Sequence, residues 1–154
     1  MALAAGTVLV LATTGCSGSD EPEQATETVC SEACSGKEVT DTGCDKQAVD
    51  AVPAKPVRVT DELHGKLGVR KSNPAVCSGV YWVKFTPDAD STAAFEVTIT
   101  VDGRGAKPQS SEPGNPTLEA WTVGVYAKTG AVITACVVQP GVGRGVCLAD
   151  TKAA

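Results

Sequence analysis

Seven cysteines punctuate this chain of 154 residues, and no other feature restricts its folding as much. Cys16 stands apart, directly behind an apolar run. The other six are Cys30, Cys34, Cys44, Cys77, Cys136 and Cys147. Setting Cys16 aside turns an odd set into an even one, as a framework of internal disulfides requires. The segments 132–138 and 146–148 read as one hairpin around the turn QPGVGRG, so Cys136–Cys147 is the favoured bridge. Cys34–Cys44 would close a short polar loop, which leaves Cys30–Cys77 as a long-range staple. A zinc site is the competing reading of the first cluster. Only Cys30-x₃-Cys34 has ligand spacing, and the single histidine, His64, lies far beyond Cys44. An exported chain favours disulfides, with no metal and no cofactor.

The export argument comes from the N-terminus. Residues 2–12 (ALAAGTVLVLA) are apolar, too short for a membrane span but suited to a signal-peptide core. Thr13, Thr14 and Gly15 then lead into Cys16. Small residues before a cysteine resemble the lipobox of bacterial lipoproteins, although Thr13 stands where that motif usually has Leu or Val. The resemblance implies that the Cys16 thiol carries a diacylglyceryl group and becomes the first mature residue, which anchors the chain stably. The expected division is a signal peptide at 1–15, a flexible acidic tether at 16–29 and a disulfide-stapled domain at 30–154. Its expected location is outside the cytoplasm, on the outer face of the cytoplasmic membrane, or secreted if the lipid is not added.

Charge supports a tether. The net charge of −5 is concentrated in Asp20, Glu21, Glu23 and Glu27, which have no basic residue among them and leave the remainder near neutral. A nucleic-acid binder needs a basic stripe to displace counterions, and none is present. The partners to expect are the membrane, through the lipid on Cys16, and an envelope ligand or protein.

Period-two patterns dominate after residue 56. In FEVTITVD, Phe95, Val97, Ile99 and Val101 share a face. In GVYWVKF, Tyr81, Val83 and Phe85 alternate with Val80, Trp82 and Lys84. In EAWTVGVYA, Trp121, Val123 and Val125 share a face, and AVITACVV follows as the next strand. Shorter strands are expected at 57–60 and 67–71, one or two helical turns at 45–52, and one long exposed loop over 102–116. With aromatic residues at 4%, the core must rest on Val, Ala, Leu and Ile. The expected fold is mostly β, a small antiparallel barrel or sandwich stapled by disulfides, with little helix.

The run Cys30…Ala33-Cys34-Ser35-Gly36-Lys37…Gly43-Cys44 resembles the opening of an actinobacterial secreted family of unknown function, DUF 2690. Leu67-Gly68-Val69-Arg70-Lys71-Ser72…Cys77…Trp82-Val83-Lys84 is similar to that family's second signature, and Ala135-Cys136…Cys147 also fits. Lys71 departs from the pattern where an aromatic is usual. The resemblance covers residues 30–148 and implies an exported compartment and these domain limits, with no activity attached.

Catalytic constellations are weak in the sequence. His64 is the only candidate base, sits in the polar run DELHGK, and reads as a solvated loop residue without a nucleophile elbow. Asp88 and Asp90, like Asp61 and Glu62, could pair for glycoside hydrolysis, but such pairs in turns are usually solvated, and calcium at Asp88-x-Asp90-Ser91 is weak without the glycine and terminal glutamate of an EF-hand loop. Trp82 with Lys84 is the candidate surface contact if Tyr81, Val83 and Phe85 face the core. Its competitor is a sheet covered on both sides, with Trp82 as core, and that is the favoured reading. The functional expectation is a non-catalytic envelope lipoprotein domain with a binding or structural role. The alternatives are a small secreted hydrolase and a wall-carbohydrate binder, the latter with only two Trp and two Tyr to stack on.

Overall fold

Strand alternation fixes which side chains meet, and here it builds two antiparallel sheets of five strands each that face one another without closing into a barrel. The structure, a computed structural model, describes residues 30–102 and 110–154, with the backbone alone for 110–113. The expected signal peptide, the expected tether and Cys16 lie outside the described residues.

The first sheet has the order β1 (Val49–Arg58), β2 (His64–Lys71), β3 (Val80–Pro87) and then β6 (Ala120–Trp121), with β7 (Val125–Tyr126) also on β3. The second runs β10 (Thr151–Lys152), β8 (Val132–Gln139), β4 (Phe95–Val101) and β5 (Ser110–Gly114), with β9 (Arg144–Cys147) also on β8. Between them lie Leu67, Val69, Tyr81, Val83 and Phe85 from one side and Phe95, Val97, Ile99, Ile133, Ala135 and Val137 from the other. Phe85 and Phe95 bridge the sheets edge to face, with ring centroids 4.7 Å apart. Removing so much aliphatic surface from water is the main stabilising term.

Several expectations need correction. Residues 45–52 form no helix. The short helix α1 (Val39–Thr42) comes earlier, and β1 already begins at Val49. β1 runs through Pro53 and Pro56, which an edge strand tolerates because its outer N–H groups need no partner. The loop expected over 102–116 contains β5, which pairs with Phe95–Ile99 of β4 and carries Pro113 on the sheet edge. A Cβ at Gly114 would collide with the Phe95 ring, so glycine is needed there for close packing.

The segment EAWTVGVYA does not keep Trp121 and Val125 on one face. Trp121 pairs with Lys84 and Val125 with Tyr81, so four steps on this segment match three on β3. One extra residue makes a bulge and reverses the facing, as a register slip must. Trp121 therefore points out and Val125 points in.

All six domain cysteines are bridged, as Cys30–Cys34, Cys44–Cys77 and Cys136–Cys147. The favoured hairpin pair holds: Cys136 and Cys147 are direct register partners with Cα atoms 4.0 Å apart. The other two expected pairings are wrong. Cys30 and Cys77 meet only as backbone neighbours, and Cys44 takes the long-range role instead.

Candidate functional site

Two disulfides build a cap from residues 30–44 on the outer face of the first sheet. Cys34, Val39, Cys44 and Cys77 pack there on Val80 and Trp82. The cap is tied to the sheet edge at Gly124, which accepts from the Gly36 N–H at 2.8 Å and donates to the Lys37 carbonyl at 2.9 Å. Trp82 is consequently only 5% exposed. The proposed surface contact through Trp82 is thus overturned, and the doubly covered sheet is what the structure shows. The sulfurs of Cys34, Cys44 and Cys77 lie within 4.8 Å of one another because the two bridges stack. A bridged sulfur carries no thiolate to offer a cation.

The cap covers only the first half of β3. Beyond Trp82 the outward residues Lys84 and Thr86 are uncovered, and a cleft of about 330 Å³ opens beside them. It is lined by Asp50, Ala54, Lys66, Gly68, Arg70, Lys84 and Thr86. Its floor follows from β2, where Leu67 and Val69 point inward, so Lys66, Gly68 and Arg70 point out with the glycine in the middle. β1 carries register irregularities on either side of Val52, which bring its chain over this position. A Cβ on Gly68 would lie 3.0 Å from the Cα of Ala54, so glycine lets the β1 backbone pass close over this position, where it forms the edge of the cleft.

The walls are charged and held in place. Arg70 reaches Asp50 at 2.8 Å and the Ala48 carbonyl at 2.9 Å. Lys84 reaches Glu119 at 2.8 Å, and the Thr86 hydroxyl donates to the same carboxylate at 3.2 Å. The Lys84 hydrogen bond holds the Glu119 carboxyl below the usual carboxylate range, with the Lys84 charge and Thr86 assisting against a counter-effect of partial burial. Lys66 has no carboxylate partner among the described residues. Trp121 stands beside Lys84 on this face, 41% exposed. Lys84 thus lies on the outer face of the sheet, with Trp121 rather than Trp82 as the exposed indole beside it. The bulge that turns Trp121 outward has no period-two signal, which is why sequence reasoning missed it.

His64, Asp88 and Asp90 are also brought together. His64 is the first residue of β2 and only 9% exposed, which corrects the solvated-loop reading. Its Nδ1 lies 3.0 Å from Asp88, and its Nε2 faces Asp90 at 3.7 Å. Both ring nitrogens thus face carboxylates, whereas a triad needs one of them on a nucleophile. The nearby Ser91 hydroxyl donates to the Glu62 carbonyl at 3.1 Å and accepts from the His64 backbone. With the Asp88 N–H on the His64 carbonyl, these contacts latch residues 88–93 onto the start of β2. Asp61 is apart, paired to Arg58 at the surface.

No helix among the described residues is long and apolar enough to cross a membrane. No protein-family model, no curated protein and no solved structure matches this chain.

Proposed function

We propose that this chain is a non-catalytic lipoprotein domain of the cell envelope, anchored through Cys16, that binds a ligand in the cleft lined by Lys66, Lys84 and Thr86. The observation that carries the reading is the cleft itself. Three adjacent strands aim fixed hydrogen-bonding groups into one concavity, next to an exposed indole. The His64 cluster supports binding over hydrolysis, since it engages its own loop and presents no nucleophile. The anchor rests on Gly15-Cys16 behind the apolar run, on the acidic residues that follow, and on the even set of cysteines left over. The similarity to the secreted DUF 2690 family rests on the cysteine frame and accords with this compartment.

Anchor and cleft are separable by experiment. Cys16→Ala should move the protein from the membrane fraction to the medium or leave it unprocessed. The same released chain should still co-sediment with detergent-washed cell envelopes. Adding Lys66→Glu should abolish that co-sedimentation. Unchanged membrane retention of Cys16→Ala at unchanged mature size would remove the anchor, and failure of the released chain to sediment would remove the binding role.

A further inference from the structure

The chemistry of the cleft narrows its ligand, an argument that rests on the binding reading above. The lining holds Lys66, Arg70 and Lys84 against two nearby carboxylates, Asp50 and Glu119. Arg70 and Lys84 are each matched, so Lys66 is the cation in excess, on a domain whose overall charge is otherwise near neutral. An anionic group seated in the cleft beside Lys66 also meets the outward N–H groups of Lys84.

The second half of the recognition is Trp121. Tyr81, Trp82, Phe85 and Phe95 are buried, whereas this indole is exposed and stands across β3 from Gly68. Gly68, Lys84 and Trp121 form one row across the sheet, because Lys84 is the register partner of both. Lys66 lies on the same face of β2 as Gly68 and two residues along, so two strand spacings and two residues separate its backbone from that of Trp121, about 12 Å, a span that linked pyranose rings bridge once the two side chains reach inward. The C–H face of a sugar suits a flat aromatic surface, and its hydroxyls suit the fixed Thr86, Glu119 and Asp50 groups between and around. A nucleic-acid backbone would need a longer basic track than one excess lysine.

We infer that the cleft binds an acidic oligosaccharide, with the carboxylate or phosphate of one sugar unit against Lys66 and a linked ring stacked on Trp121. The full-length protein is titrated with four probes: a digalacturonate, the matching neutral digalactoside, inorganic phosphate and a glutamate-rich peptide. Indole and amide NMR shifts give the readout. The digalacturonate should shift the Trp121 indole and the Gly68 amide, with the neutral sugar at least tenfold weaker. Lys66→Gln and Trp121→Ala, both changes at exposed positions, should each weaken binding about five- to tenfold, or about 1–1.4 kcal/mol. Equal binding of the neutral sugar would overturn the acidic requirement. Equal binding of phosphate or of the peptide would overturn the saccharide. If no probe binds while Lys66→Glu still abolishes envelope sedimentation, the ligand class falls and the binding role stands. If both fail, the binding role falls with it.

Discussion

Single residues in this domain act mainly through what they hold still. Glu119 is the clearest case, because its carboxylate receives Lys84 and Thr86 together. A carboxyl held below its ordinary range favours the folded state above the unfolded pKa, and that contribution is lost as pH falls through the folded value. NMR titration should therefore find Glu119 ionising in more acid solution than an ordinary glutamate. Lys84→Met removes the largest cause and should shift the midpoint back upward. An unchanged midpoint would mean that the pair does not persist in solution. His64 shows the limit of reading residues one at a time. Its polar neighbours in sequence suggest solvent, yet Asp88 and Asp90 arrive from the far end of β3 to enclose the ring. Nothing within the run DELHGK carries that information.

Whole elements were legible where one face is buried and the other wet. β4 and β8 alternate cleanly, and so does the inward face of β3, because period two is then enforced by the core. Reading failed where another constraint took over. β5 contains a proline and reads as loop, and β1, with two, reads as helical turns over 45–52 and a short strand over 57–60, yet both are sheet edges, where a missing N–H costs little. The bulge between β6 and β7 was invisible for a different reason: its backbone is completed by a side chain. The Thr122 hydroxyl accepts from the Val83 N–H at 3.1 Å, while the Thr122 N–H donates to the Val83 carbonyl at 3.1 Å. Thr122 is fully buried, so Thr122→Val should leave the Val83 N–H unsatisfied and cost about 1–3 kcal/mol. Urea unfolding at constant m-value measures it. A cost near zero would mean that the strand re-registers, and Trp121 would then lose its outward position.

At the scale of the molecule, the cysteines divide the labour between the two sheets. Cys136–Cys147 fastens a hairpin that the sequence already specified through opposed positions around a glycine-rich turn. Cys44–Cys77 does something sequence spacing could not reveal, since it joins the cap to the loop before β3 and so decides which part of the sheet is covered. Pairing by proximity along the chain favoured Cys34–Cys44, whereas packing on Val80 and Trp82 brings Cys44 to Cys77 instead. The cleft is the remainder of that face, so the cap bounds the proposed binding surface as well as stabilising the fold. Opening the cap should therefore report on one tryptophan alone. In Cys44→Ala/Cys77→Ala the long loop is released, with a stability loss of about 2–4 kcal/mol. Val80 and Trp82 become accessible to water while the Phe85–Phe95 core between the sheets is left in place. Trp82 emission should move to longer wavelength and become open to iodide quenching, which Trp121→Phe in the same background isolates from the exposed indole. Peptide mapping of the unreduced parent protein should recover Cys44 joined to Cys77. Recovery of Cys34 joined to Cys44, or a Trp82 that stays shielded after the double substitution, would mean that the cap is held by other contacts and does not set the edge of the cleft.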